Sequence, residues 1–256
     1  MKILIISSYP RVDSLAYKEA ILTGLVRRDC EIKVIYSGIR PIDYFKEARS
    51  RELLNLRSLR SRGAGPKEPG SEARSKLTDV AARNGVEVGS FKTLASQEAL
   101  SFVERFDPDH GINLSGQFIP SRLIDAVGGR IVGGHYGDLP RFRGRDTVRW
   151  PILLDHPTVV SHMYLAKKYD MGDVLLKTTV RVTRGQGLDV IRRACQETSA
   201  KGHLAVVDAF KKGQLHPRPQ QESEGTTFYE MGAFLKQRVD ELLRSGSYES
   251  GSEVGS

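Results

Sequence analysis

The stretch RIVGGHYGDLPRFRG, residues 130–144, is the most informative about the fold. Its first residues, Arg130, Ile131 and Val132, favour a β-strand, and the Gly/Pro-rich run that follows predicts a loop at the end of that strand. In open α/β sheets, ligands bind in the crevice outside the carboxyl ends of the strands. The stretch therefore places His135 where a site is expected.

The N-terminal residues set the fold class. Residues 2–7 and 31–37 are rich in β-favouring side chains, and residues 14–28 between them carry apolar residues at helical spacing. A strand, a helix and a second strand in this order predict parallel pairing with a right-handed crossover. The alternation continues to a long helix at residues 187–211. We expect an α/β fold with a Rossmann-like, mostly parallel sheet and helices on both faces.

Composition shifts divide the chain. Residues 1–212 are expected to form one α/β domain, interrupted at about 39–70 by a basic helical insertion. Residues 213–244 form a short C-terminal extension, and the Gly/Ser/Glu-rich residues 245–256 are expected to be disordered.

Charge and hydropathy limit the classes of partner that we expect this chain to bind. The net charge is +8, and many arginines cluster between Arg40 and Arg62. Such a helix face is usually solvated, and otherwise contacts an acidic ligand or partner, so nucleic acid is a less favoured partner. No apolar run approaches the ~20 residues that span a bilayer, and the first residues are too few for a signal peptide, so we expect no membrane contact and a cytoplasmic location. Two cysteines give no metal-ligand spacing, and no metal is expected.

Two polar residues at strand ends are the candidate catalytic groups. A neutral imidazole at His135 can take or give a proton near neutral pH. Asp170 lies in Tyr169-Asp170-Met171-Gly172-Asp173, after the apolar strand predicted from Val159. Strands that run from Arg130 and from Val159 are expected to deliver both side chains to one crevice, where a carboxylate orients the imidazole.

These elements together resemble the folate-dependent formyltransferases. The pattern His135-x-x-x-Leu139-Pro140-x-Phe142-Arg143-Gly144, an Asp170-x-Gly172-Asp173 element and the upstream run Gly116-Gln117-Phe118-Ile119-Pro120 carry the resemblance. It covers roughly residues 107–182. The family pairs its histidine and aspartate with an asparagine two residues before the histidine, and that position is Gly133 here. Asn113, near the end of the preceding strand, is a candidate replacement.

The resemblance implies a formyltransferase-like fold, 10-formyltetrahydrofolate as co-substrate, and His135, Asp170 and Asn113 as the catalytic set. The pterin ring would lie between two short segments, Phe118, Ile119 and Pro120 on one side and Ala166, Lys167, Lys168 and Tyr169 on the other. The acceptor amine would contact Ser8, Tyr9, Arg11 and Arg143.

Three functions remain open at this point. The first is formyl transfer to a small-molecule amine. The arginines mildly favour an acceptor that carries negative charge. A β-rich C-terminal domain is not evident, which argues against a methionyl-tRNA substrate. The second is an altered enzyme, a formyltetrahydrofolate hydrolase or other acyl-group enzyme, because Gly133 lacks an amide donor. The third is a catalytically silent binding protein. A homodimer is compatible with all three.

Overall fold

The computed structural model describes residues 1–8, 16–37, 76–116 and 118–251. The predicted basic insertion at about 39–70 lies outside these ranges. The described strands are β1 (Lys2–Ser8), β2 (Glu31–Ser37), β3 (Glu87–Phe91), β4 (His110–Asn113), β5 (Ile131–His135), β6 (Phe142–Gly144), β7 (Val159–Tyr164), β8 (Val174–Thr179) and β9 (Thr226–Phe228). The described α-helices are α1 (Ala16–Val26), α2 (Leu77–Arg83), α3 (Gln97–Phe106), α4 (Ser121–Ala126), α5 (Arg149–Leu153), α6 (Leu188–Lys211) and α7 (Ala233–Arg244).

Seven strands form the main sheet in the order β3-β2-β1-β4-β5-β7-β8. The five strands from β3 to β5 are parallel, whereas β7 pairs antiparallel with β5, and β8 pairs antiparallel with β7. The sequence-based expectation of a Rossmann-like, mostly parallel α/β sheet is confirmed. The parallel part ends at β5, which places His135 beside the point where strand direction reverses.

Strand β1 shows why the sheet is covered on both faces. Ile3 and Ile5 point into one apolar cluster with α1, α2 and α6, and Leu4 and Ile6 point into another with α3 and α4. All four side chains are fully buried. Because side chains alternate across a strand, a continuous apolar run such as this one is buried on both sides only in a sheet sandwiched between helices.

The C-terminal residues pack back onto the sheet. Strand β9 pairs in parallel with β6 to form a separate two-stranded sheet. Met231, Val239 and Leu243 join a buried cluster with Val160 and Ile191. The stretch after residue 212 is therefore part of the folded unit.

The expectation of disorder from residue 245 is wrong for residues 245–251. Tyr248 is 2% exposed, and its hydroxyl donates to the carbonyl oxygen of His156 at 2.8 Å. Ser250 pairs with Val182 in an antiparallel bridge. One buried tyrosine anchors a segment whose composition is otherwise that of a flexible tail; residues 252–256 lie outside the described part.

Across the described ranges, no helix has both the length and the apolar character needed to cross a bilayer. Helix α6 has the length, with 24 residues, but charged side chains are spread along it.

Candidate active site

A cavity of about 370 Å³ lies at the carboxyl ends of β4 and β5. These strands end at Asn113 and His135, and their side chains both line it. The wall opposite comes from the loop between β7 and β8. The residues expected from the sequence that line this cavity are Asn113, Phe118, Ile119, His135, Ala166, Lys168, Tyr169 and Asp170.

Each ring nitrogen of His135 faces an oxygen atom. Its Nε2 lies 2.7 Å from the carbonyl oxygen of Phe142, and its Nδ1 lies 3.5 Å from Oδ1 of Asp170. A carbonyl oxygen can only accept, so Nε2 carries a hydrogen. Nδ1 is then the nitrogen that gains or loses a proton, and it faces a carboxylate.

Asp170 is held by its own contacts. Its Oδ2 accepts from the backbone N–H of Gly144 at 2.8 Å. Its backbone is left-handed, with φ at 54°, a conformation that aspartate tolerates better than most residues. The carboxylate is therefore fixed both by the loop conformation and by a hydrogen bond.

The route that brings Asp170 to His135 differs from the expected one. Strand β7 is antiparallel to β5, so its last residue, Tyr164, lies beside Val132 rather than at the carboxyl end of β5. The loop 165–173 that follows β7, and not the end of the strand itself, brings the carboxylate to the histidine.

Gly133 and Asn113 are neighbours across the sheet. The two residues are paired in the register of β4 and β5. A side chain at Gly133 has little room, because its Cβ would lie 2.8 Å from Cδ2 of Leu165. Oδ1 of Asn113 accepts from the N–H of Ser115 at 3.0 Å and from its Oγ at 2.7 Å. This turn occupies the amide oxygen, so Nδ2 is the part of the Asn113 amide that can donate to a ligand.

Two aromatic rings flank the cavity. The side chains of Phe118 and Tyr169 are 53% and 71% exposed, and their ring centroids are 5.8 Å apart at an interplanar angle of 57°. Two adjacent exposed rings beside a cavity offer an apolar surface against which a ligand can pack. Their position favours a planar ligand.

Two of the expected residues do not line the cavity, and the acceptor contacts expected from the N-terminal loop fall outside the described residues. Pro120 caps the N-terminus of α4, and Lys167 is exposed; neither lines the cavity. Ser8 ends β1, and its side chain, like Tyr9 and Arg11 as a whole, lies outside what the structure describes.

The expectation that Arg143 binds the acceptor is wrong in this structure. Its side chain is 3% exposed, and its guanidinium donates to the carbonyl oxygens of Gln221 at 2.6 Å and Glu222 at 3.1 Å. A buried guanidinium must find acceptors inside the protein, and the C-terminal segment supplies them. The sequence shows a loop arginine without showing that residues 220–222 return to meet it.

A second cavity of about 290 Å³ shares Gly134 and His135 with the first. Thr147, Arg149 and Arg192 line it, together with Asp146. Nη1 of Arg149 donates to Oδ1 of Asp146 at 3.0 Å. Sequence reasoning missed these residues because they lie on helices α5 and α6 and in the turn before α5, away from the recognised motif.

Buried histidines lie behind the site. His162 and His203 form an edge-on pair with ring centroids 4.6 Å apart, packed below Gly134. Burial lowers the pKa of His162 to about 4 and holds the pKa of His203 well below its usual value. Both rings are therefore neutral parts of the core near neutral pH.

In open α/β sheets, ligands bind in the crevice outside the carboxyl ends of the strands, which is where this cavity lies. The sequence model of the formyl transferase family matches residues 64–207 of this chain. The chain therefore belongs to the formyl transferase family, which confirms the resemblance.

Individual relatives agree with this assignment. The chain is 24% identical over 197 residues to methionyl-tRNA formyltransferase from Clostridium acetobutylicum, covering 75% of this chain and 64% of that enzyme. The chain thus spans less than two thirds of the length of the curated relatives it matches.

Solved structures share the fold. Glycinamide ribonucleotide transformylase 1 from Symbiobacterium toebii superposes with a TM-score of 0.60 at 17% identity, over 86% of this chain and 94% of that chain. The formyltransferase PseJ from Anoxybacillus kamchatkensis, solved with a formamido sugar nucleotide and tetrahydrofolate, has a TM-score of 0.52 at 15% identity, over 96% and 93% of the two chains.

Proposed function

We propose that this protein transfers a formyl group from 10-formyltetrahydrofolate to the amine of a small molecule. One observation carries the proposal: His135 forms part of the wall of two separate cavities. A group-transfer enzyme must hold donor and acceptor on either side of its proton-handling residue, and two cavities that meet at one histidine meet this requirement.

The first cavity suits the folate donor. Phe118 and Tyr169, whose rings contact each other, would pack against the pterin ring, and Ile119 and Leu165 add apolar surface. Aromatic stacking contributes roughly 0.5–1.5 kcal/mol per ring pair beyond area burial. The donor supplies a formyl carbon that is open to attack by an amine.

The second cavity suits the acceptor. Arg149 and Arg192 bring two guanidinium groups to its wall. Arg149 pairs with Asp146 at 3.0 Å, and Arg192 lies 3.7 Å from the exposed carboxylate of Asp189. This lining favours an acceptor that carries an anionic group, such as a phosphorylated or nucleotide-linked amine. The sugar nucleotide bound to PseJ carries a formamido group, which is the formylated form of a nucleotide-linked amine.

His135 and Asp170 would handle the proton. As the acceptor nitrogen bonds to the formyl carbon, it releases a proton to the His135–Asp170 pair. The proton would lie between Nδ1 of His135 and Oδ1 of Asp170, where the carboxylate stabilises the imidazolium. The bond from the formyl carbon to N10 then breaks, and the proton passes to N10. The separation of 3.5 Å between Nδ1 and Oδ1 is long for a hydrogen bond, as is common before substrates bind.

Asn113 would stabilise the oxyanion of the tetrahedral intermediate. Its oxygen is fixed by Ser115, so its Nδ2 group is the part free to donate into the cavity. An oxyanion donor of this kind is typically worth about 10²–10³-fold in rate. Asn113 would thereby take the role of the family's asparagine, whose position is Gly133.

Turnover of 10-formyltetrahydrofolate tests the proposal. The purified protein is incubated with the donor and with a panel of phosphorylated amines, nucleotide-linked amino sugars and amino acids, and released tetrahydrofolate and formylated product are measured. We expect amine-dependent turnover, a loss of about 10³-fold or more in His135→Ala, and a loss of about 10²-fold in Asn113→Ala.

The contrary outcomes separate the alternatives. Donor turnover that does not depend on any amine indicates a hydrolase. Unchanged turnover in His135→Ala contradicts the catalytic assignment. Absence of turnover together with nucleic-acid binding that weakens steeply with salt supports a silent binding protein.

A further inference from the structure

Gln220 contacts the loop that carries Asp170. Its Nε2 donates to the carbonyl oxygen of Asp170 at 3.0 Å and to that of Gly172 at 2.6 Å. An amide nitrogen has two hydrogens, and these two carbonyls use both. One side chain thus holds the backbone on either side of Met171.

Arg143 fixes the orientation of that amide. Its Nε lies 3.4 Å from Oε1 of Gln220, while its two Nη groups donate to the carbonyls of the next two residues. Because the oxygen of the amide faces the guanidinium, its nitrogen must face the loop. The buried arginine therefore selects the donor orientation that the loop requires.

The contacts close into a ring. Gly144, which follows Arg143, donates its N–H to Oδ2 of Asp170, and Gln220 joins Arg143 to the carbonyl of the same aspartate. Asp170 is thus held at its carboxylate from β6 and at its backbone from the C-terminal segment. Both the carboxylate and the backbone of Asp170 therefore have hydrogen-bond partners outside its own loop.

We infer that Gln220 is a positioning residue that sets the carboxylate of Asp170 against His135. The inference rests on the proposed function, in which Asp170 stabilises the imidazolium. Gln220 lies beyond residues 64–207, where the family description matches, so the chain supplies this support from a segment outside the matched region. A small error in placement is enough to matter, since about 1 Å can cost 10²-fold in rate.

Three variants and two measurements test the inference. Gln220→Met keeps the length of the side chain and removes both donors, Gln214→Ala is the control at an exposed glutamine, and Asp170→Asn tests the carboxylate itself. Steady-state turnover of 10-formyltetrahydrofolate gives kcat and KM. Amide hydrogen exchange at Gly144 reports whether the carboxylate stays in place without requiring activity. The reference is the amide of Leu114, which follows β4 and donates to the carbonyl oxygen of Ile6 in β1.

In Gln220→Met we expect kcat to fall about 10–100-fold while KM for the donor changes less than about 2-fold. We also expect the Gly144 amide to exchange at least about 10-fold faster while Leu114 is unchanged, and Gln214→Ala to match the wild type in both measurements. A purely structural role would instead speed exchange at Gly144 and Leu114 together.

The failures can be distinguished. If Asp170→Asn loses turnover but Gln220→Met keeps both wild-type kcat and wild-type exchange at Gly144, the positioning role is overturned and the proposed function stands. If Asp170→Asn keeps wild-type turnover, the proposed function fails at this residue. If Asp170→Asn keeps wild-type turnover and Gly144 also exchanges at the wild-type rate in Gln220→Met, the proposed role of Gln220 in holding the Asp170 loop is overturned as well.

Discussion

Acid should destabilise this protein through its buried histidines. His110 and His162 are fully buried, and burial lowers the pKa of each to about 4. In the unfolded chain both rings titrate near pH 6.5. As the pH falls below about 6.5, these histidines bind protons in the unfolded state but stay neutral in the folded state. The free energy of unfolding therefore decreases until the pH reaches about 4.

The size of this effect follows from the two pKa values. Between about pH 7.5 and about pH 4.5, each histidine should remove about 2.5 kcal/mol from the free energy of unfolding, at 1.36 kcal/mol per pKa unit. The two together should remove about 5 kcal/mol, which is comparable with the whole stability of many domains. His203 adds to the loss, because burial shifts its pKa in the same direction.

Urea unfolding followed by the fluorescence of Trp150 measures the loss at the two pH values. The double variant His110→Gln with His162→Gln is the key comparison, because the Gln amide nitrogen can replace the ring nitrogens that contact Tyr164 and Ser199. We expect the acid-induced loss to be about 5 kcal/mol smaller in this variant. His216→Gln, at an exposed histidine, should behave as the wild type. An equal acid-induced loss in the wild type and the double variant would refute the reasoning.

Three further predictions concern the site. Gly144→Ala should lower the free energy of unfolding by about 2–3 kcal/mol in urea titrations, because φ is +95° and the new Cβ would lie 2.0 Å from the carbonyl oxygen of Phe228; a loss below about 0.5 kcal/mol would contradict the described geometry. Arg143→Met should lower the free energy of unfolding by about 2–4 kcal/mol in thermal and urea unfolding, because three acceptors lose their donor. A nearly unchanged free energy of unfolding would contradict the internal role of this arginine. Phe118→Ala and Tyr169→Ala should each weaken binding of a folate analogue about 10-fold in calorimetry, with little change in the free energy of unfolding. Unchanged affinity in both variants would exclude contact of these rings with the ligand.

The long elements of the fold follow from local sequence. The strand at Glu31–Ser37 has the predicted bounds, and helix α6 begins one residue after the predicted start and ends as predicted. Their periodic apolar patterns are long enough to identify the element without knowledge of its neighbours.

The short elements depend on distant partners. Strands β6 and β9 have three residues each and pair residue 142 with residue 226, so no local pattern reveals them. Strand β5 runs to His135, into the glycine-rich run that the sequence predicts as a loop, because glycines weaken the strand signal even where neighbouring strands hold them.

The candidate site was predictable where the motif is local. His135, Asp170 and Asn113 line one cavity. The position of Asp170 on a loop depends on the antiparallel direction of β7, which the sequence does not reveal. The internal role of Arg143 depends on a polar C-terminal segment with no recognisable pattern. Gln220 carries no signal in the sequence for the same reason.

The pairing of β6 with β9 has a consequence for how the domain is delimited. A fragment cut near residue 212 would contain every strand of the seven-stranded sheet, yet it would lack the acceptors of Arg143 and the partner strand of Gly144. During synthesis, the sheet could form before residues 218–228 leave the ribosome, whereas the loop at Asp170 would acquire its support only afterwards. A working unit for transplantation or directed evolution therefore extends to about residue 251, well past the boundary that homology alone would set.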